Sequence, residues 1–249
     1  MKNWLWIWCG ALLPGIADGQ AAKTLQIAEN NITIRFTEPQ VESIAREVLA
    51  MAANARQELA EKYKPAFLAS VEIRLSATTY EFCQLTGRPW WQASVYRGRI
   101  IFLQPIRVLR DRGILATALR HELAHQLVEE QSRGNSPIWL SEALAIYNSG
   151  EIVWLKPARR KIEPTALKWN QLEKRLESTT DQADAERLYF QLYHLGQFLE
   201  TRFSVEKIVR LLQRLSEKTP FASACREILG ENAEEIEQNW LQYAIEKMS

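Results

Sequence analysis

The spacing of apolar residues changes partway along the chain. From Thr24 to Phe36 apolar and polar positions alternate on either side of Asn30-Asn31, which predicts two short strands around a turn. Between Pro39 and about Lys64, Val41, Ile44, Ala45, Val48, Leu49, Ala52, Ala55 and Leu59 recur at helical spacing, so this stretch is an amphipathic helix. Alternation returns at Val71–Leu75. A short helix is expected over Thr78–Leu85 with Gly87 as its stop, and Ala93–Leu103 reads as a strand or a tight hairpin turning at Arg97-Gly98.

Beyond Pro105 the strand signal all but vanishes. Helical patterns follow over about 112–131, 137–148, 166–176, 184–202, 204–217, 221–229 and 232–247. The predicted class is α+β: a small N-terminal mixed sheet with helices, over 22–110, and an all-helical half over 111–249, forming one unit. The stretch from Glu151 to Asp184 is the most polar and includes Arg159-Arg160-Lys161. Runs of charge usually face water, so a solvated surface loop is its default reading, and a substrate-facing flap is the alternative.

Residues 1–21 stand apart. Lys2 precedes an apolar run from Trp4 to Ile16, of signal-peptide length rather than bilayer-spanning length, and Ala17 and Ala21 offer small-residue cleavage points. A secreted or periplasmic location is therefore expected, with no later stretch long enough to span a membrane. Of the 249 residues 47% are hydrophobic and 24% charged, as in an ordinary globular chain, which argues against a disordered or fibrous protein. The net charge of +1 gives no electrostatic case for nucleic acid. Three cysteines exclude a disulfide-stapled scaffold, and whether Cys83 and Cys225 pair is open between a disulfide and two buried thiols.

The candidate chemistry lies at His121-Glu122-Leu123-Ala124-His125. The chain has only three histidines, and two flank this glutamate four residues apart. They sit in a continuous amphipathic helix ended near Gly134. On a helix, residues four apart stack with a rise of about 6 Å, so both imidazoles can reach one ion; Glu122, turned about 100° away, reaches a water on that ion instead. A catalytic zinc needs a third protein ligand and an open position. Glu129 shares the histidine face but lies about 12 Å along the axis from His121, too far to share the ion. Glu142 is better placed. The turn Gly134-Asn-Ser-Pro137, with Ser136 as N-cap and Pro137 at the first helical position, folds a second helix back on the first. Glu142 is the lone acid among Ile138, Trp139, Leu140, Ala143, Leu144, Ala145 and Ile146. A buried carboxylate is costly without a partner, and a metal removes that cost. An arginine-paired core glutamate is the bland alternative.

The run HELAHQLVEEQSRGNSPIWLSEALAIY resembles the zinc peptidases with a glutamate third ligand (gluzincins), most closely the bacterial peptidase-MA-like domains. The resemblance implies a zincin-like fold, Zn2+ held by His121, His125 and Glu142, Glu122 as general base, and a peptide or protein substrate lying along a sheet edge, here Arg99–Leu103. The segment Tyr189–Leu199 resembles the family's downstream tyrosine helix, implying Tyr189 as the oxyanion donor with Tyr193 and His194 behind it. His194 itself reads as a satisfied or surface histidine.

Departures from the pattern are specific. Ala143 stands where a glycine is usual, and residues 126 to 141 make a shorter spacing between His125 and Glu142 than in thermolysin or the aminopeptidase N family. The aspartate expected four residues after the third ligand falls at Ile146, so Tyr147 or Asn148 is expected to orient a histidine instead. No Gly-x-Met-Glu-Asn strand is present to hold a substrate N-terminus, which favours endopeptidase over exopeptidase action. The rival reading is a catalytically inactive zincin-like envelope protein acting as a binding or assembly module. A structural zinc site is disfavoured, since such sites are closed by four ligands rich in cysteine.

Overall fold

The computed structural model describes residues 25–37, 42–64, 69–155 and 166–248. The leader-like residues 1–21, the start of the first predicted helix and Arg159–Lys161 lie outside them. Five strands form one mixed sheet: β1 (Leu25–Glu29), β2 (Ile32–Phe36), β3 (Val71–Leu75), β4 (Ser94–Arg97) and β5 (Ile100–Leu103), in the order β1-β2-β3-β5-β4. β1–β2 and β4–β5 are antiparallel hairpins, whereas β2–β3 and β3–β5 pair in parallel. Both hairpins turn on two consecutive residues of positive φ, Asn30-Asn31 and Gly98-Arg99, the left-handed pair that suits a twisted two-residue hairpin. The second turn is centred one residue later than expected, because Arg97 pairs with Ile100.

Helix α1 (Glu42–Tyr63) supplies the crossover from β2 to β3 and packs Ala45, Val48, Leu49, Ala52, Ala55 and Leu59 against the sheet face formed by Ile32, Ile34, Ile73, Ile101 and Leu103. On the opposite face, α2 (Thr79–Thr86) closes a smaller cluster of Phe82, Val95 and Phe102. The alternation of Ile101 and Leu103 with Phe102 thus serves two cores, one on each side.

The remaining elements are helical: α3 (Ile106–Asp111), α4 (Leu115–Ser132), α5 (Ile138–Ser149), α6 (Ile152–Leu155), α7 (Trp169–Ser178), α8 (Gln182–Ser216), α9 (Phe221–Ala224) and α10 (Ala233–Met248). α8 breaks at Ser204, where φ is 64° and ψ 155°, the point at which the sequence pattern separates two helices. A π-helical turn, Cys225–Leu229, follows α9. α4 is buried on most of its circumference, polar residues included, and lies between α1, α5 and α8, so a single core runs from Ile32 to Ala244. Cys83 packs beside the smaller cluster and Cys225 lies in the main core, both unpaired.

Two expectations fail at the turn between α4 and α5. Ser136 does not cap α5; its hydroxyl contacts the Pro137 carbonyl at 3.3 Å, and Pro137 occupies the N-cap position with no side-chain acceptor to offer. The carboxylate of Glu173, from α7, instead accepts the N–H groups of Ile138 and Trp139 at 3.3 and 3.1 Å. A cap supplied from a distant helix satisfies the same orphan donors and adds a charge that suits the helix N-terminus.

Candidate metal centre and its cleft

α4 and α5 pack antiparallel across the turn Arg133–Ser136, with Arg133 at φ 51° and Gly134 at φ 72° reversing the chain. This brings the side chains of His121 and His125 on α4 to that of Glu142 on α5. His121 Nε2 and His125 Nε2 stand 3.0 Å apart; Glu142 reaches them at 3.7 Å through Oε2 and 3.6 Å through Oε1. These three residues could hold a metal ion, with one ligand atom from each lying within 4.8 Å of the others. Glu142 Oε2 is buried and accepts no hydrogen bond, an exception to the rule that buried polar atoms are satisfied.

Each histidine is held from behind. His125 Nδ1 meets Ser141 Oγ at 2.8 Å, while its Nε2 faces the shared point. Glu151 Oε1 lies 3.0 Å from His121 Nδ1, an ion-pair contact whose alignment falls short of a hydrogen bond. The residues expected in this role are elsewhere. Asn148 donates to Tyr63 Oη at 2.6 Å and to Glu200 at 3.0 Å, within a network that also contains Lys62, and the Tyr147 ring packs at a tilt against Tyr193. Glu151 opens the polar stretch read as a solvated loop, and its side chain is turned inward to the site.

Burial disfavours charge on His121, yet the carboxylates of Glu151, Glu122 and Glu142 outweigh it and hold the imidazole pKa up at about 10. For Glu142 burial again opposes charge, but His125, His121 and Arg88 bring the carboxyl down to about 2. The cluster is thus built mainly from groups on two adjacent helices.

Glu122 is buried beside the pair, and Ser94 Oγ on β4 donates to its Oε1 at 2.7 Å. Tyr189, on α8, lines the same cleft; burial, then Glu142, Glu151 and Glu122, raise its pKa well above the ordinary tyrosine value, so its hydroxyl keeps its proton. Tyr193 and His194 turn away into an aromatic cluster with Phe190 and Tyr147, and His194 Nδ1 is 3.4 Å from Gln197. Glu129 lies outside the metal group and accepts the Tyr96 hydroxyl at 3.3 Å.

The cleft has two lobes that share Gln92, Ser94, His121, Glu122 and Tyr189. A larger lobe of about 300 Å³ extends past Tyr96, Glu129 and Ile138, and a smaller one of about 180 Å³ past Trp91, Ile114 and Ala185. β4 forms the cleft wall, and it is the sheet edge. β5, expected in that role, is paired on both sides, with β3 and with β4. Because Val95 and Arg97 bond toward β5 and the pattern alternates, Ser94 and Tyr96 direct their backbone N–H and C=O groups to the open edge.

Ser94, Ser141 and Glu151 escaped the sequence reading. Ser141 precedes Glu142 and Glu151 follows Gly150, but only the fold sets them behind the histidines. Comparison with models of known families and with curated proteins finds no match. No helix among the described residues is long and apolar enough to cross a membrane.

Proposed function

We propose that this chain is a zinc-dependent peptidase of the gluzincin type with a zincin-like catalytic unit, acting as an endopeptidase. The observation that carries the reading is the convergence of His121 Nε2, His125 Nε2 and Glu142 beside a buried glutamate in a cleft walled by a sheet edge. Ligand atoms at about 2.0–2.2 Å from a tetrahedral zinc stand roughly 3.3–3.6 Å apart. The two imidazole Nε2 atoms stand 3.0 Å apart and each has a Glu142 oxygen at 3.6 or 3.7 Å, so one carboxylate faces both rings at a distance a shared ion can span. The unpartnered Glu142 Oε2 is what an ion would satisfy, and three protein ligands leave a position for solvent.

A bound zinc supplies Lewis acidity and lowers the pKa of coordinated water. Glu122 takes the proton of the attacking water and passes it to the leaving amine, held for this by Ser94. Tyr189 donates its proton-bearing hydroxyl to the oxyanion developing on the scissile carbonyl. An extended peptide adds to the free edge of β4 through Ser94 and Tyr96, using main-chain hydrogen bonds that do not depend on its sequence. Lobes on both sides of the centre accommodate a chain that continues past the scissile bond, which supports internal cleavage. The leader-like start supports a secreted or periplasmic location. The rival binding-module reading drew on the missing aspartate after Glu142; Glu151 and Ser141 stand behind the histidines in its place.

Glu122→Gln tests the proposal. The variant should retain stoichiometric zinc while losing about 10²–10⁴-fold in hydrolysis of an unstructured protein such as casein. Unchanged activity would remove Glu122 from the mechanism, and absence of zinc from the wild-type chain would sink the metal reading.

A further inference from the structure

The peptidase reading leaves open what the cleft selects, and the following inference rests on that reading. The larger lobe is lined by Glu122, Glu129 and Glu142, and by a single Lys or Arg side chain, Arg88. The Arg88 guanidinium has no hydrogen-bond or ion-pair partner among the described residues, whereas Arg112 in the smaller lobe donates to the Trp91 carbonyl at 3.5 Å. Arg88 lies close enough to the centre for its charge to act on both Glu142 and Tyr189.

Its backbone is firmly placed although its side chain is exposed. Gly87, at φ 68°, ends α2 and bonds back to the Cys83 carbonyl. The Arg88 N–H donates to Thr86 Oγ1 at 3.2 Å, and Pro89 restricts Arg88 to extended backbone. Gln104, 1% exposed, then holds the following loop by donating Nε2 to the carbonyls of Trp90 and Gln92. A cation on so well-anchored a loop, the one Lys or Arg in a lobe whose carboxylates are Glu122, Glu129 and Glu142, is suited to recognising an anion that enters with the ligand.

We propose that Arg88 is a specificity-determining residue that binds a carboxylate of the peptide substrate, foremost an acidic side chain on the N-terminal side of the scissile bond. The side follows from β4. The strand runs from the shared Ser94 to Tyr96 in the larger lobe. A peptide paired antiparallel to it, the more stable arrangement per residue, therefore lays its N-terminal portion beside Tyr96 and Arg88. A free substrate N-terminus would bring an ammonium against the same guanidinium, which disfavours aminopeptidase action. A peptide paired in parallel would instead bring its C-terminal carboxylate into this lobe, so carboxylate recognition has two sources to separate.

The test measures binding to the zinc-loaded full chain carrying Glu122→Gln, read by calorimetry and by the change in total tryptophan fluorescence, to which Trp90 and Trp91 beside the cleft contribute. Three probes suffice: an N-acetylated, C-amidated alanine peptide containing one Glu, its Gln counterpart, and the Gln peptide with a free C-terminus. The carboxylate-bearing peptide should bind about tenfold tighter or better than its neutral counterpart, as expected for charge-assisted hydrogen bonds. Adding Arg88→Gln should erase that preference, and Arg88→Lys should keep part of it. A gain from the Glu side chain alone assigns the source to a side chain, and a gain from the free terminus alone assigns it to the C-terminus. Equal binding of all three probes, or a preference that survives Arg88→Gln, overturns the inference and leaves the peptidase reading standing. Binding of no probe overturns both.

Discussion

Glu151 and Ser141 occupy the outer side of the two imidazoles, and each makes a distinct prediction. A carboxylate 3.0 Å from His121 Nδ1 orients the ring electrostatically and makes Nε2 a better metal ligand, so Glu151→Gln should weaken binding of the proposed zinc by about 10- to 100-fold in a chelator competition while leaving the helical content unchanged. Unaltered zinc affinity would reduce Glu151 to a bystander. Ser141→Ala removes the hydroxyl that holds His125 Nδ1 and should act in the same direction. On the peptidase reading these effects should divide from those of Glu122→Gln, which is expected to lower hydrolysis while the metal is retained.

Among the elements, the contact between α5 and α8 decides where Glu142 sits. Gly196 on α8 lies directly against α5: a Cβ built on it would come 2.3 Å from the Ala143 carbonyl oxygen and 2.6 Å from Tyr147 Cβ. Backbone cannot yield as a flexible side chain can. Gly196→Ala should therefore push α5 away and cost about 1–3 kcal/mol in chemical denaturation, the range for overpacked cores. It should also weaken zinc binding, since Glu142 is the residue just before Ala143. A variant as stable as wild type with full zinc affinity would show that the helices can separate without disturbing the centre. The Glu173 carboxylate at the N-terminus of α5 belongs to the same scale, because it anchors the first turn of the helix that carries Glu142. Glu173→Ala strips that cap and should cost about 0.5–2 kcal/mol.

Across the whole molecule, one continuous core joins the sheet half to the helical half, and Cys225 reports on its integrity. Burial, with a further contribution from Glu234, pushes its thiol up to about 12. An ordinary thiol in the unfolded chain titrates near about 8.5. Between these values the unfolded chain gives up its proton while the folded chain keeps it, so stability is fully present below the lower value and falls as pH rises toward the upper one. Cys225 should resist alkylation at neutral pH until the fold opens, whereas the half-buried Cys83 reacts in the native state; mass spectrometry after timed iodoacetamide treatment distinguishes them. Rapid native labelling of Cys225 would mean that the core around the π-helical turn opens readily.

The amino-acid sequence alone determined the division into a sheet half and a helical half, the positions of most helices, and the pairing of His121 with His125 around Glu122. All of these depend on neighbours within a few residues, where helical rise and strand alternation act directly. It also singled out Glu142, because a lone acid in an apolar helix is anomalous whatever surrounds it. Only the tertiary structure decided the rest. β4 and not β5 became the edge, since strand order is settled by how a parallel crossover and a hairpin share one sheet. Glu173 capped α5 in place of Ser136, and Glu151 and Ser141 took up positions behind the histidines in place of Tyr147 and Asn148. Such contacts join groups whose meeting is fixed by packing between separate elements, and nothing in local periodicity records which of several polar side chains will be carried to the same point.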